Sequence, residues 1–249
     1  MALRDILESF RNGDITAKEA ERELRMDYLE MVSDHTVFDH GRKVRKDVPE
    51  VVYASSKTPK MVADIAQRVP KNGYLLISRA SKEHYDLVAL SVKDNEVEYH
   101  ENASAITIGR SGPEKKGKIG IITAGSSDMR TAEEAKLMGE AMGCTCITAY
   151  DVGVAGMHRI LEPMKMMLDE NVGSIIVVAG MEGALPSVVA SLASVPVIGV
   201  PSSTGYGYGG NGEAALMCML QTCSPGLAVV NIDNGIGAAT VAAMISRQK

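Results

Sequence analysis

Small polar residues and a carboxylate follow the first apolar run in the second half of the chain. The run 119–123 ends in the sequence Ala-Gly-Ser-Ser-Asp, and a helical pattern begins directly after it. Glycine lets the backbone approach a ligand, and the free N–H groups of a helix start favour an anion such as a phosphate. Ser127 and Asp128 would serve equally well as helix N-caps, which is the plainer alternative. The candidates for a ligand site are Gly125, Ser126, Ser127 and Asp128.

Carboxylates also follow two later apolar runs. Asp151 opens the sequence Asp-Val-Gly-Val-Ala-Gly-Met-His-Arg, whose last two residues lie a turn into a predicted helix. Glu182 lies between Gly180 and Gly183, where a carboxylate can shuttle a proton or bind a ribose hydroxyl. The alternative for Glu182 is a charge that only stabilises the following helix N-terminus. Both positions are candidate parts of the same site.

A glycine-rich run at 201–213 reads Pro-Ser-Ser-Thr-Gly-Tyr-Gly-Tyr-Gly-Gly-Asn-Gly-Glu. It is too polar for a core segment and too short for a linker. We predict a loop that closes over a ligand, with Gly207 and Gly209 near that ligand. A contact between subunits is the alternative.

The four cysteines divide into three ordinary ones and one of interest. Cys144, Cys146 and Cys218 are expected to be small buried hydrophobic residues, and the cysteine spacing matches no zinc pattern. Cys223 follows a helix and precedes the last strand, so it lies at the edge opposite the strand carboxyl ends of its own subunit. In an isolated subunit that placement would leave it inert.

Regular alternation of apolar and helical segments predicts how these residues are positioned. From residue 118 onward, five β-type runs alternate with helical patterns, which predicts an α/β fold with a parallel sheet between two helical layers. Ligands bind such sheets beyond the carboxyl ends of the strands. The predicted organisation is a helical segment at 1–34, a small α+β domain at 35–110, a linker at 111–117 and a catalytic domain at 118–249. Within it we predict two short helices at the start of the chain, the second begun by a capping box of Thr16 and Glu19, a helix after Thr58-Pro59, a hairpin or two edge strands at 96–100 and 103–110, and a helix from about 155 to 170.

Composition excludes several classes of protein. The chain has 249 residues, 45% of them hydrophobic, and a net charge of −5, which indicates a globular protein and argues against a nucleic-acid partner. No apolar run is long enough to span a bilayer, and the N-terminus is charged too early for a signal peptide. We expect a cytoplasmic protein with reduced thiols and no membrane partner.

Three motifs of the second half resemble the AIR carboxylase family of purine biosynthesis. They are Gly-Ser-Ser-Asp after the first strand, Ala-Gly…Leu-Pro after the third, and Gln-x-x-x-Pro-Gly before the last. The resemblance covers about 118–249 and implies a flavodoxin-like fold and an octamer. The chain departs from that family's Ser-Ala-His-Arg and Gln-Met-Pro motifs, where it reads Asp-Val-Gly-Val-Ala-Gly and Gln-Thr-Cys-Ser-Pro, and it adds an N-terminal domain.

Six motifs in order, from about residue 35 to the end, resemble the pyridinium-3,5-biscarboxylic acid mononucleotide synthase (LarB) family of nickel-pincer cofactor biosynthesis. They read FDHGRKVRKDVPEVVYASSKTP, TAGSSD, AYDVGVAGMHR, AGMEGALPSVVA, VPSSTGYGYGG and NIDNGIGAA. The resemblance implies an enzyme that carboxylates the pyridinium ring of nicotinic acid adenine dinucleotide (NaAD) at C5 with CO₂ or bicarbonate and hydrolyses the phosphoanhydride to release AMP. An AIR carboxylase or N5-CAIR mutase is the alternative, and a non-catalytic nucleotide-binding regulator is a third hypothesis.

The same resemblance implies roles for individual residues. Cys223 occupies the family's nucleophile position, and octamer packing would bring it to a neighbouring subunit's pocket. Glu182 would remove the C5 proton, while Ser126, Ser127 and Asp128 would position CO₂ or the ring carboxylate. Mg²⁺ is expected to bind through substrate phosphate oxygens. The pyrophosphate or AMP would be held by N-terminal residues, namely Asp39, Arg42, Lys43, Arg45 and Lys46.

Overall fold

A computed structural model describes residues 3–26, 29–33, 36–39, 47–110 and 115–248, with side chains for 4–21, 47–110 and 115–248. The chain divides into two compact units. One comprises Met1–Tyr99 with Ile106–Arg110, and the other comprises His100–Ala105 with Ser111–Lys249.

The first unit begins with the two predicted helices, α1 (Leu3–Asn12) and α2 (Ala17–Met26). Thr16 and Glu19 form the expected capping box before α2, because the Glu19 carboxylate accepts from the Thr16 N–H at 2.8 Å and the Thr16 hydroxyl accepts from the Glu19 N–H at 3.2 Å. The segment 1–34 is not helical throughout. An antiparallel pair of strands follows, β1 (Leu29–Ser33) and β2 (Thr36–Asp39).

A four-stranded mixed sheet forms the rest of the α+β region. Its strands are β3 (Val51–Tyr53), β4 (Leu75–Ser78), β5 (Val97–His100) and β6 (Ala105–Ile108), in the order β3-β4-β6-β5. Helix α3 (Pro59–Ala66) connects the parallel strands β3 and β4, and it starts as predicted with Thr58 as N-cap and a proline in the first turn. Helix α4 (Lys82–Ser91) was not predicted. Of the two alternatives for 96–100 and 103–110, a hairpin or two edge strands, the hairpin fits: β5 and β6 are hydrogen-bonded neighbours in the sheet, and β6 also pairs with β4, so only β5 lies at an edge.

The second unit contains the predicted parallel sheet. Its strands are β7 (Lys118–Thr123), β8 (Thr145–Ala149), β9 (Ser174–Ala179), β10 (Val197–Pro201) and β11 (Leu227–Val229), in the order β11-β10-β9-β7-β8. Counted from β7, this is the 2-1-3-4-5 order of flavodoxin-like folds. All residues of β9 are buried and most are β-branched, which is typical of a central strand covered on both faces. The predicted α/β, flavodoxin-like fold is confirmed.

Helices cover both faces of this sheet. They are α5 (Met129–Ala141), α6 (Leu161–Asp169), α7 (Leu185–Leu192), α8 (Glu213–Leu220) and α9 (Gly235–Ser246). Helices α5 and α9 pack together on one face, and α6, α7 and α8 bury a continuous apolar core against the other. The α5–α9 contact is close because α9 presents fully buried alanines, and a Cβ added to Gly235 would lie 2.3 Å from the Thr131 carbonyl oxygen. No helix in the described part of the chain is long and apolar enough to cross a membrane.

The segment before α6 differs from the expected helix. We predicted helix from about 155 to 170, but Val154–Ile160 forms a 3-10 helix and the α-helix starts only at Leu161. Gly156 interrupts the segment with non-helical angles, φ −137° and ψ 66°. The irregular backbone changes which side chains of this segment face the carboxyl edge of the sheet.

Candidate active site

A pocket of about 280 Å³ lies at the carboxyl ends of four parallel strands. It is lined by residues from 124–128 after β7, 153–155 and Arg159 after β8, 179–185 after β9, and 204–206 after β10. The chain reverses direction across the sheet between β7 and β9, and ligands bind α/β sheets at such a switch point. Of the predicted residues, the pocket brings together Gly125, Ser127, Asp128, Gly180 and Glu182.

Asp128 is buried, and both of its carboxylate oxygens accept hydrogen bonds. Oδ2 accepts from the N–H of Gly125 at 2.9 Å, which closes the 3-10 turn Ser126–Asp128. Oδ1 accepts from the hydroxyl of Thr204 at 2.8 Å. Asp128 therefore ties the turn after β7 to the glycine-rich loop after β10.

Replacing Asp128 by alanine is expected to lower the free energy of unfolding by about 2–4 kcal/mol, because the Gly125 N–H and the Thr204 hydroxyl would each lose a buried acceptor. Asp128→Asn should cost less, since an amide can still accept from Gly125 and donate to Thr204. Denaturant titration of the full chain at fixed protein concentration measures both. Equal losses of unfolding free energy in the two variants would show that the negative charge of Asp128, and not its hydrogen bonding, stabilises the fold.

The start of the glycine-rich loop is fixed at a second point. The Asp233 carboxylate, in the turn between β11 and α9, accepts from the N–H of Ser203 at 2.9 Å and from its hydroxyl at 2.5 Å. Gly205 then passes so close to the turn after β9 that an added Cβ would lie 2.9 Å from the Met181 nitrogen. Beyond it, Tyr206 lines the pocket with 79% of its surface exposed. The start of the predicted loop is thus held in place, and the loop borders the pocket.

An ion pair joins the residues that follow β8. Nη1 of Arg159 donates to the Asp151 carbonyl oxygen at 2.7 Å and to its Oδ2 at 3.1 Å. Asp151 has a φ of 57°, in the left-handed region, and its N–H donates to the hydroxyl of Thr123 at 3.0 Å. Asp151 therefore contacts the pocket indirectly, since it is Arg159 that belongs to the lining.

Glu182 is exposed at the pocket rim, in the turn between β9 and α7. The preceding Met181 has a φ of 48°, which is uncommon for a long side chain, and backbone strain of this kind clusters at functional sites. The turn is closed by the Gly183 N–H, which donates to the Gly180 carbonyl at 2.8 Å. The structure leaves the Glu182 carboxylate available to a ligand in the pocket.

Gly183 has a packing role, which differs from the predicted contact with substrate. It lies outside the lining, has a φ of 66°, and an added Cβ would be 2.7 Å from the Ala215 Cα of α8.

Gly183→Ala is expected to lower the free energy of unfolding by about 2–4 kcal/mol through both strain and overlap. Gly207→Ala is the matched control, because Gly207 has a φ of 83° and no atom within 4 Å of an added Cβ. Equal melting temperatures for the two variants would contradict the overlap.

Other predicted ligand contacts lie away from the pocket lining. Ser126 is exposed in the 3-10 turn, and Gly207 is open to solvent. Gly209 packs against α8, where an added Cβ would lie 2.2 Å from the Ala214 Cβ. Asp39 ends β2, but its side chain is outside the described residues, as are Arg42, Lys43, Arg45 and Lys46 in full. The phosphate clamp therefore stays a prediction.

The cysteines separate by exposure. Burial raises the pKa of the Cys144 thiol and raises that of Cys146 to about 12, so both remain protonated thiols at neutral pH. Cys223 is exposed and precedes β11 at the amino-terminal edge of the sheet, as predicted. Its own chain's pocket lies at the opposite edge of the same sheet, and none of the described residues that line that pocket is a cysteine.

Two family models match the chain in adjacent segments. Residues 118–249 match the AIR carboxylase family, and residues 22–110 match the LarB/PurE-like N-terminal domain. The chain is a LarB-like member of the AIR carboxylase family. A PurE-like core preceded by a LarB-type domain confirms the resemblance inferred from the motifs.

Similar proteins include whole-length and partial relatives. An uncharacterized protein of Methanocaldococcus jannaschii is 44% identical over 98% of this chain and 97% of its own length. An N5-carboxyaminoimidazole ribonucleotide mutase of the same organism is 35% identical over 50% of this chain and 75% of its own length. A protein of the same name from Pyrococcus horikoshii is 33% identical over 53% and 73%. The LarB-like chain is thus an enzyme of the carboxylase and mutase type.

Within the described residues, no three His, Cys, Asp or Glu side chains lie together as metal ligands would. Asp128, Asp151 and Asp233 each hold a protein group instead of facing one another. These described residues do not fit a protein-bound Mg²⁺, and binding of the ion through substrate phosphates stays a prediction.

Among the polar side chains that line the LarB-like pocket, motif analysis missed three: Arg159, Thr204 and Tyr206. Arg159 was placed inside a helix, because a single glycine such as Gly156 does not by itself indicate that a helix is interrupted. Thr204 and Tyr206 belong to the glycine-rich run, where only the glycines were considered. Tyr206 could have been identified from the sequence, since an aromatic side chain among glycines has little to pack against.

Proposed function

We propose that the protein carboxylates the pyridinium ring of NaAD at C5 and hydrolyses the phosphoanhydride, giving pyridinium-3,5-biscarboxylic acid mononucleotide and AMP. The observation that carries this proposal is the LarB/PurE-like N-terminal domain on the same chain as the AIR carboxylase domain. The mutases that resemble the core match only 50–53% of this chain. A larger substrate with an adenylate portion gives the added domain a purpose.

The proposed ring chemistry needs a nucleophile, because a pyridinium ring is too electron-poor to attack CO₂. The Cys223 thiolate adds to a ring carbon next to C5, and the resulting dihydropyridine is an enamine whose C5 forms the new bond to CO₂. Removal of the C5 proton and departure of the thiolate then restore the aromatic ring. The net change replaces a proton on C5 by a carboxylate, with no oxidation or reduction.

Glu182 is the proposed base for the C5 proton. It is an exposed carboxylate at the pocket rim, and among the described lining residues the other carboxylate, Asp128, already accepts two hydrogen bonds. Ser127 and the backbone of Gly125 line the same pocket and would orient the CO₂ or the ring carboxylate. This division of roles leaves Glu182 as the group free to move a proton.

Cys223 would act in a neighbouring subunit's pocket. Within one chain the sheet separates it from the pocket, and its exposed position makes it available to another copy. Exposed apolar side chains such as Met217 and Leu220 precede it on α8, with relative exposures of 67% and 68%. Exposed apolar patches of this kind mark contacts between proteins, in agreement with the proposed homo-oligomer, an octamer by resemblance.

The pocket accommodates only part of NaAD. A volume of about 280 Å³ is at the lower end for small-molecule sites, which suits the ring and its ribose. The pyrophosphate and adenylate would extend past the pocket mouth. By the family resemblance, the basic segment 39–46 is the proposed phosphate clamp. When bound to the phosphate oxygens, Mg²⁺ neutralises their negative charge.

An N5-carboxyaminoimidazole ribonucleotide mutase activity is the second candidate, because proteins of that name are 33–35% identical to the core. The histidine of the AIR carboxylase motif is absent from the described pocket lining, where His158 does not appear. Conversion of aminoimidazole ribotide or its carboxylated form is the discriminating assay.

The test is to incubate the purified protein with NaAD, bicarbonate and Mg²⁺ and to identify products by mass spectrometry. A dicarboxylated pyridinium mononucleotide together with AMP is expected. Unchanged NaAD alongside turnover of the purine substrate would replace the proposal by the second candidate. Binding of NaAD without conversion of either substrate would instead favour a nucleotide-binding regulator.

A further inference from the structure

Arg159 is the one cationic side chain among the described residues that line the pocket. The carboxylates of Asp128 and Glu182 lie on the same lining, and Asp151 is next to Arg159. An anionic ligand group entering this pocket would meet repulsion from these carboxylates. Arg159 is therefore where such a group can be held.

The guanidinium of Arg159 is held from one side only. Its Nη1 makes both hydrogen bonds to Asp151, to the carbonyl oxygen and to Oδ2. Within the described residues, Nε and Nη2 have no hydrogen-bond acceptor. An arginine fixed in this way offers two parallel N–H donors, the geometry that matches a planar carboxylate.

Gly156 keeps space beside those two donors. A Cβ added there would lie 2.7 Å from Nε and 3.3 Å from Nη2 of Arg159. Any side chain at 156 would thus displace the guanidinium or obstruct its Nε and Nη2 atoms. The backbone angles of Gly156 are not in the positive-φ region, so conformational strain does not explain the glycine. The glycine is explained instead by the space that it leaves beside the Arg159 guanidinium.

We propose that Nε and Nη2 of Arg159 bind the carboxylate of the substrate's pyridinium ring and thereby select nicotinate over nicotinamide dinucleotides. The inference rests on the proposed function. Since the ring must lie in this pocket to reach Glu182, its carboxylate lies there too, whereas the phosphates are separated from the ring by a ribose. A nicotinamide offers an amide in the same place, with no charge and only one acceptor oxygen.

The test compares dissociation constants for NaAD and NAD⁺ by calorimetry without CO₂, in the wild type and in Arg159→Gln. The wild type is expected to prefer NaAD. Arg159→Gln should weaken NaAD binding roughly 10- to 100-fold and NAD⁺ binding little, so that the preference collapses. Gly156→Ala should reduce the preference in the same direction, because it moves the guanidinium without removing it. Lys165→Gln, which removes an exposed charge from α6, should leave the ratio unchanged.

The ratio of the two dissociation constants separates this contact from other roles. Equal weakening of both dinucleotides in Arg159→Gln would overturn the inference, since it would place a phosphate or a merely structural contact at Arg159. A wild type without preference would overturn it as well. If product still forms from NaAD in either case, the proposed function is retained and only the inference about Arg159 fails. If the wild type neither binds nor converts NaAD, both fail together.

Discussion

Cys223→Ala is expected to reduce ring carboxylation by at least about 10³-fold while leaving NaAD binding and the fold unchanged. The thiolate is what would make the ring electron-rich, and no other group in the described lining can add to a pyridinium in this way. Because Cys223 is exposed on its own chain, the substitution removes no buried contact within that chain. Formation of the dicarboxylated mononucleotide, followed by mass spectrometry, gives the rate.

Cys218→Ala is the matched control, since Cys218 lies five residues earlier on α8 and has no proposed role. It should retain the wild-type rate. A Cys223→Ala enzyme with undiminished carboxylation would remove the thiolate from the mechanism. Loss of AMP release alone would not test the role of the thiolate in carboxylation, so AMP and the dicarboxylated mononucleotide are quantified separately.

Mixed oligomers test whether Cys223 serves another chain's pocket. Cys223→Ala chains keep the pocket and Glu182→Gln chains keep the thiol, so neither should be active alone. In a random mixture, co-assembly should restore roughly a quarter of the wild-type sites. A working site needs its intact pocket from a Cys223→Ala chain and its thiol from a Glu182→Gln chain. No recovery in hybrids verified by dual affinity tags would contradict a site shared between subunits.

Glu182→Gln is expected to slow carboxylation by about 10²- to 10⁴-fold, the range for loss of a general base. The amide keeps the size of the side chain, so NaAD binding should change little. With proton removal slowed, NaAD deuterated at C5 should react more slowly than ordinary NaAD, and this isotope effect should be larger in the variant than in the wild type.

Glu162→Gln is the control for this substitution, since Glu162 is exposed on α6 outside the pocket lining. Its rate should stay at the wild-type level. A Glu182→Gln rate within about twofold of the wild type, with no isotope effect, would show that another group or water takes the proton. The carboxylate at 182 would then be left with the simpler role of stabilising the start of α7.

The sequence by itself determined the core and the positions where a site had to lie. Uninterrupted runs of β-branched residues such as β9 are typical of strands buried on both faces, and their alternation with helical segments predicts a parallel sheet, in which the carboxyl ends of the strands meet at one edge. Gly125, Asp128 and Glu182 could be selected for this reason alone. Cys223 could be placed at the opposite edge by the same reasoning.

Only the tertiary structure decided which of these residues share a pocket and which serve packing. The Asp128–Thr204 hydrogen bond joins positions 76 residues apart, and the overlap that fixes Gly183 comes from α8. Arg159 entered the pocket because the backbone turns out of helical geometry at Gly156. Side-chain periodicity describes one element at a time, whereas these contacts arise between elements, where backbone angles and close approach set the distances.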